Sequence, residues 1–418
     1  MTGYIVRHID ALLDELMAQL PALLITGPRG CGKTTTASRH TETRLSLDNP
    51  RQATAFATDP DAVLAQATHP VLVDEWQTVP SCLAAIKRAV DADFAAGQFL
   101  ITGSVRSRFL AGSWPGTGRV TPVPMWGLTE AELEGRPDVD VSWLWRPDEL
   151  ETRVWQQPLT VLDYAAMALH GTLPEATAMT ARTRSVWYRG YVDQLIHHDI
   201  ADIADIRTPL GMRRLLQAVA ANTAGMPTLT TLAQAAQIDQ RTAASYLDAL
   251  EDMRVVQRTR PWFHSRMNRL VKSPKYYITD PGLAAHLNGA TQRTLLSDGD
   301  LLGRMIDTFA QAQLRPMCDA AIPSIDLGHA RSVDGRHEVD VVLESPDGVV
   351  GIEIKAAGAV TPYDARHLAW LRDQVCEDFT AGYVLHTGPG VHPLGQSLWA
   401  VPIAALWRPE TIGGHRGP

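Results

Sequence analysis

Gly27-Pro28-Arg29-Gly30-Cys31-Gly32-Lys33-Thr34 is a complete G-x-x-x-x-G-K-[ST] stretch. It follows the apolar run Ala22-Leu23-Leu24-Ile25 and precedes a helical segment expected from Thr35 to His40. A phosphate-binding loop requires this strand, loop and helix setting. The residue types match the chemistry. Gly27, Gly30 and Gly32 let the backbone curl so that its N–H groups face phosphate oxygens, and the helix start near Lys33 adds a positive dipole end. Lys33 is placed to meet the β- and γ-phosphates, and the Thr34 hydroxyl to ligate Mg²⁺. The expected nucleotide cradle is therefore Gly27, Pro28, Arg29, Gly30, Cys31, Gly32, Lys33, Thr34 and Thr35, with ATP and Mg²⁺ as cofactors.

Two further strands extend this reading. Pro70-Val71-Leu72-Val73-Asp74-Glu75 is apolar and ends in two carboxylates. In P-loop ATPases the first such carboxylate holds Mg²⁺ and the second polarises the attacking water, which assigns Asp74 to the metal and Glu75 to catalysis. Gln98-Phe99-Leu100-Ile101-Thr102-Gly103-Ser104 ends in hydroxyl residues. Thr102 or Ser104 is a candidate sensor of the γ-phosphate, and either residue also suits a helix cap. Arg119, after the Pro/Gly-rich stretch Trp114 to Gly118, is a candidate charge-stabilising arginine. The expected catalytic set is Lys33, Asp74, Glu75 and Arg119.

The 418 residues exceed one ordinary core and imply two to four domains. A 45% hydrophobic and 20% charged composition is that of a folded globular protein. A net charge of −8 argues against coating nucleic acid by bulk charge, though not against a local basic patch. Cys31, Cys82, Cys318 and Cys376 are widely separated, lack metal-ligand spacing and read as reduced thiols. No apolar run approaches a membrane span, and the charged N-terminus is not a secretory signal, so the expectation is cytoplasmic. Ile9, Leu12, Leu13, Leu16 and Leu20 predict an amphipathic helix before the first strand.

Along the chain, the helix–strand alternation of residues 1–130 predicts a mostly parallel α/β sheet. Residues 131–205 read as a helical region with an acidic, proline-containing linker from Glu134 to Glu151. Residues 206–292 offer three helices and then strands at Val255-Val256 and Tyr276-Tyr277-Ile278, the order of a winged helix. Between Arg254 and Ile278 there are seven basic residues, Arg254, Arg258, Arg260, Arg266, Arg269, Lys272 and Lys275, and no acidic one. Trp262, Phe263 and His264 lie among them. Arg258 to Lys275 suit a wing that contacts DNA or RNA; a solvated hairpin, or one docked on an acidic neighbour, fits equally well.

In residues 293–410, Asp340 lies on the expected strand His337 to Glu344. Glu353 and Lys355 share one face of the next strand, Val349 to Lys355. A hairpin bringing Asp340 beside Glu353 would give a D…(D/E)-x-K set in which two carboxylates bind Mg²⁺ and Lys355 activates water. Asp307, on the helix expected from Leu301 to Leu314, is a further acidic candidate. The same alternation also marks a hairpin exposed on one face. Residues 411–418 read as a tail.

Thr26 to Thr35, Val73 to Pro80, Ile101 to Ser104, Gly118-Arg119-Val120, Tyr276 to Leu283, Glu338-Val339-Asp340 and Ile352 to Lys355 together resemble the AAA-type ATPases of bacteria and archaea that carry a C-terminal DUF4143 domain. The resemblance covers nearly the whole chain. It implies an ATPase core, a winged helix and a restriction-endonuclease-like terminal α/β fold. Such proteins usually have Glu at the position of Asp307 and an aliphatic residue at that of Cys31. Three readings follow: an Mg²⁺-dependent ATPase switch acting on nucleic acid, an ATP-regulated nuclease, or an ATP-driven protein-interaction switch with a degenerate nuclease fold.

Overall fold

A computed structural model of the chain describes residues 3–103, 117–155, 158–200, 208–262 and 273–411. The first sheet contains β1 (Ala22–Thr26), β2 (Thr43–Ser46), β3 (Val71–Asp74), β4 (Phe99–Gly103) and β5 (Thr121–Pro124). All pairings are parallel, in the order β2-β3-β4-β1-β5. Every residue of β1, β3 and β4 is buried, because helices cover both faces of a parallel sheet and its strands must read as continuous apolar runs. Crossover helices include Lys33–Ala37, directly after the phosphate loop, and Cys82–Ala92. The preceding helix, His8–Met17, buries Ile9 and Leu13.

β6 (Arg153–Val154) joins the terminal sheet by pairing with its edge strand. The Glu134–Glu151 stretch differs from the expected linker. Trp143 and Leu144 are buried, the Tyr383 hydroxyl donates to the Leu144 carbonyl at 2.8 Å, and the Trp145 indole donates to Gly348 O at 3.0 Å. Its aromatic residues bury against the terminal domain, which the local abundance of proline and acidic residues concealed.

Helices Pro209–Ala221, Leu229–Ala236 and Gln240–Asp252 precede a two-stranded antiparallel sheet, β7 (Val256–Thr259) and β8 (Lys275–Ile278). Thr228 and Asp239 cap the second and third helices. The 22-residue helix Gly299–Ala320 leads into the terminal sheet. Its strands are β9 (Asp326–Arg331), β10 (Glu338–Ser345), β11 (Gly348–Lys355), β12 (Phe379–His386), β13 (Gly390–Gly395) and β14 (Leu398–Pro402). β9, β10 and β11 form an antiparallel meander, helix Arg366–Val375 crosses over, and β12 returns parallel to β11.

One apolar cluster runs from Leu13 and Ile25 through Tyr188, Leu216 and Leu283 to Phe309, Ile352 and Trp407. The segments are therefore packed together rather than strung on linkers. Asp280 is the polar tie within this core. Its carboxylate accepts from Thr172 N (2.6 Å), Thr172 Oγ1 (2.9 Å), the Tyr188 hydroxyl (2.6 Å) and Leu283 N (2.5 Å). The last bond caps helix Pro281–Leu287, which has Pro in its first turn. Among the described residues, no helix is long and apolar enough to cross a membrane.

Asp280→Ala would strand buried donors from three segments, each costing about 1–3 kcal/mol. A total loss of about 3 kcal/mol or more is expected in chemical denaturation. A loss below about 1 kcal/mol would contradict the role assigned to this carboxylate.

Candidate nucleotide site and the terminal acidic cluster

The loop leaves β1 at Thr26, and its shape follows from backbone conformation and packing. Gly30 and Gly32 have φ of 77° and 100°, the left-handed region that glycine enters without strain. At Gly27 a Cβ would collide with the Met125 carbonyl. Cys31 is fully buried beside the same carbonyl, its Sγ 4.0 Å away, a space-filling position. Lys33 Nζ folds back onto the carbonyls of Gly27 (3.0 Å) and Pro28 (2.9 Å), so its charge is held over the loop. The helix that follows is short, Lys33–Ala37, and includes Thr34 and Thr35.

Asp74 ends β3 opposite Thr102 of β4 and Ser46 of β2. One carboxylate oxygen accepts from Thr34 Oγ1 (2.8 Å) and Thr102 Oγ1 (2.5 Å), and the other from Arg44 (2.8 Å). The Thr34 hydroxyl and the Asp74 carboxylate thus lie side by side as hard oxygen donors, and this pair fits Mg²⁺. Glu75 adopts the left-handed region (φ 56°), and its carboxylate accepts from the Gln77 amide. Ser104 lies outside the described residues.

Arg119 stands elsewhere. Thr121 pairs with Leu23 at the start of β1, so Arg119 lies at the sheet edge opposite the loop, roughly 20 Å away at strand spacing. There it pairs with Asp91 at 2.7 Å.

Several residues that hold the loop were missed in the sequence because they come from distant segments. Arg7 donates to the Cys31 carbonyl (2.9 Å) and the Trp126 carbonyl (2.7 Å), and pairs with Glu132 at 3.1 Å. The Tyr191 hydroxyl donates to Arg29 O at 3.1 Å. Arg254, next to β7, donates to Thr26 Oγ1 at 3.0 Å and lies 4.9 Å from the centre of the Trp126 ring. Arg44 was equally unmarked. Beside the loop helix, a cavity of about 330 Å³ is lined by Tyr4, Ile5, Gly32, Thr36, Leu128 and Pro174, among others. Tyr4 is fixed there by hydrogen bonds to Asp10 (2.8 Å) and Thr36 (3.0 Å) and by the Arg39 guanidinium over its ring.

The expected basic wing is differently disposed. Arg258 is paired with Asp248 (2.6 Å) and Glu251 of its own domain. Arg260 is exposed. Arg266, Arg269 and Lys272 lie outside the described residues. Lys275 is not at the surface: its side chain is 1% exposed, and Nζ lies 2.8 Å from both Asp307 Oδ2 and Asp340 Oδ1.

The hairpin does bring Asp340 beside Glu353: Val341 pairs with Ile352, and Ile354 N donates to Asp340 Oδ2 at 2.9 Å. Lys355 pairs with Glu353 at 2.6 Å. Burial and the neighbouring Asp340 push the Glu353 carboxyl up to about 8. Burial pushes Asp307 up to about 6, against the pull of Lys275. Asp340 is also buried, but Lys275 and the Ile354 N–H hold it below the usual carboxylate range. Burial opposes the charge on Lys275, yet the two aspartates hold its pKa well above the ordinary lysine value.

Gly27→Ala is expected to weaken ATP binding at least tenfold in a fluorescent-nucleotide titration, because the loop must move off Met125. Unchanged affinity would contradict this packing.

Three family models match the chain: an AAA domain over residues 19–134, a domain of unknown function (DUF8612) over 161–294 and a domain of unknown function (DUF4143) over 302–406. The uncharacterised proteins Mb2031c of Mycobacterium bovis and Rv2008c of Mycobacterium tuberculosis are each 29% identical over 404 residues, 95% of this chain and 83% of theirs. Among solved structures, the Walker-type ATPase PABY2304 of Pyrococcus abyssi is a remote match (TM-score 0.40, 13% identity, 68% of this chain and 96% of that one). Protein VC1899 of Vibrio cholerae is more remote still (TM-score 0.21, 10% identity, 94% and 99%). Residues 19–134, with the phosphate loop on its parallel sheet, thus match an AAA-type P-loop domain, and residues 302–406 a C-terminal DUF4143 domain.

Proposed function

We propose that the protein is an Mg²⁺-dependent ATP-hydrolysing switch whose nucleotide state is felt by the region after residue 206. The observation that carries this reading is the contact of that region with the phosphate loop: Arg254 bonds Thr26 at the loop's entrance. Tyr191, on helix Ala181–Gln194 before that region, bonds Arg29 within the loop. A phosphate drawing the loop amides and Lys33 toward itself would disturb both contacts.

In this reading the loop amides and Lys33 bind the phosphates, and Thr34 and Asp74 hold Mg²⁺, which supplies charge neutralisation at the phosphates. Glu75 orients the attacking water after leaving Gln77, and Thr102 reports the phosphate state to Asp74. The cavity beside Thr36 takes the base. Arg119 serves a neighbour's nucleotide if copies assemble.

The three helices with the β7–β8 sheet support a winged helix for residues 206–292. The helix, antiparallel meander, crossover helix and parallel strand support a restriction-endonuclease-like fold for residues 293–410. Nucleic acid is the proposed target of the switch through Arg260 and the basic residues beyond Trp262. A second reading, a protein-interaction switch with an inactive nuclease fold, is favoured by the internal pairing of Arg258 and Lys275.

Lys33→Ala should weaken ATP binding at least a hundredfold in a fluorescent-nucleotide titration. Glu75→Gln should retain binding while slowing phosphate release at least a hundredfold. Wild-type affinity in the first variant, or wild-type turnover in the second, would contradict the proposal.

A further inference from the structure

The terminal cluster has the residue types of a metal-dependent phosphodiesterase site, but it already contains a cation. Lys275 reaches it from β8, outside the terminal sheet, and places Nζ 2.8 Å from Asp307 Oδ2 and 2.8 Å from Asp340 Oδ1. The other two oxygens are also engaged. Asp307 Oδ1 accepts from the Tyr277 hydroxyl at 3.0 Å, and Asp340 Oδ2 from Ile354 N at 2.9 Å. Glu353 Oε1 is taken by Lys355. A divalent ion bridging Asp340 to its neighbours would need oxygens at about 2.0–2.6 Å, in the volume that the ammonium fills.

Access does not exclude an ion. Asp307, Asp340 and Lys355 line an open pocket of about 720 Å³. Charge does. Even fully ionised, three carboxylates against two ammonium groups leave one negative charge, too little for a buried divalent ion, and a protonated Glu353 leaves none. Without Lys275 two would remain once Glu353 ionises, which a divalent ion neutralises. The ammonium is also firmly held. Lys275 pairs with Thr259 across β7–β8, and the next residue, Tyr276, bridges to Gly225.

We propose that Lys275 is the resident cation of this cluster. The Asp307–Lys275–Asp340 triad is an ion-pair clasp that fastens the β7–β8 sheet to the terminal domain, and it stands in the place of a divalent metal. This inference deepens the reading of an inactive nuclease fold and does not depend on ATP hydrolysis.

The test is Mn²⁺ binding to the full chain without nucleotide, followed by electron paramagnetic resonance. Wild type and Asp340→Asn should bind Mn²⁺ identically, since any Mn²⁺ held near Asp74 is common to both. Lys275→Met, similar in length and uncharged, should gain one further bound Mn²⁺, which Lys275→Met with Asp340→Asn should lose. Wild-type Mn²⁺ binding that disappears in Asp340→Asn would overturn the proposal, as would a folded Lys275→Met that gains none. If Lys275→Met does not fold, the comparison of wild type with Asp340→Asn still decides.

Discussion

Four donors from three segments converge on the Asp280 carboxylate, and the geometry around the phosphate loop depends on where it holds them. Thr172, fixed by Asp280, in turn accepts Leu128 N on its carbonyl at 2.6 Å. Leu128 follows Gly127 and Trp126, whose carbonyls hold the Arg7 guanidinium against the loop. A cap at the start of one helix, Pro281–Leu287, thus sets the position of a backbone segment more than a hundred residues earlier. A buried carboxylate must find its partners or carry an uncompensated charge, so these segments are located together.

What was legible in the sequence was whatever is encoded locally. Gly27 to Thr34 fixes Gly27, Gly32, Lys33 and Thr34 within eight residues, and the strands that carry Asp74 and Thr102 are continuous apolar runs with those polar residues near their ends. The alternation from Glu338 to Lys355 placed Asp340, Glu353 and Lys355 on one hairpin. What was not legible depends on distant contacts. Arg7 meets Trp126, Arg254 meets Thr26, and Trp143 packs edge-on to Tyr383 at 5.3 Å. No spacing rule announces such partners. Lys275 shows this best: among basic neighbours and aromatics it read as a nucleic-acid contact, a solvated residue or one docked on an acidic neighbour, and only its burial against two aspartates selects the last.

The same contrast bears on the region after residue 206. Charge that would face a nucleic acid is partly consumed within the molecule, by Asp248 and Glu251 for Arg258 and by the terminal cluster for Lys275. In the proposed reading, the terminal domain keeps a nuclease's arrangement of strands without its electrostatics. Its acidic residues face a cation delivered by the neighbouring sheet, and this joins the two regions mechanically. The proposed switch therefore has a continuous physical path, from the loop at Thr26 through Arg254 to β7, and from β8 through Lys275 to Asp307 and Asp340.

Amide hydrogen exchange on the full chain, with and without Mg²⁺-ATP, tests that path most directly. The account predicts altered protection at residues 251–262 and 275–283 alongside the loop itself. Changes confined to residues 22–46 and 71–78, with none in the β7–β8 region, would contradict it.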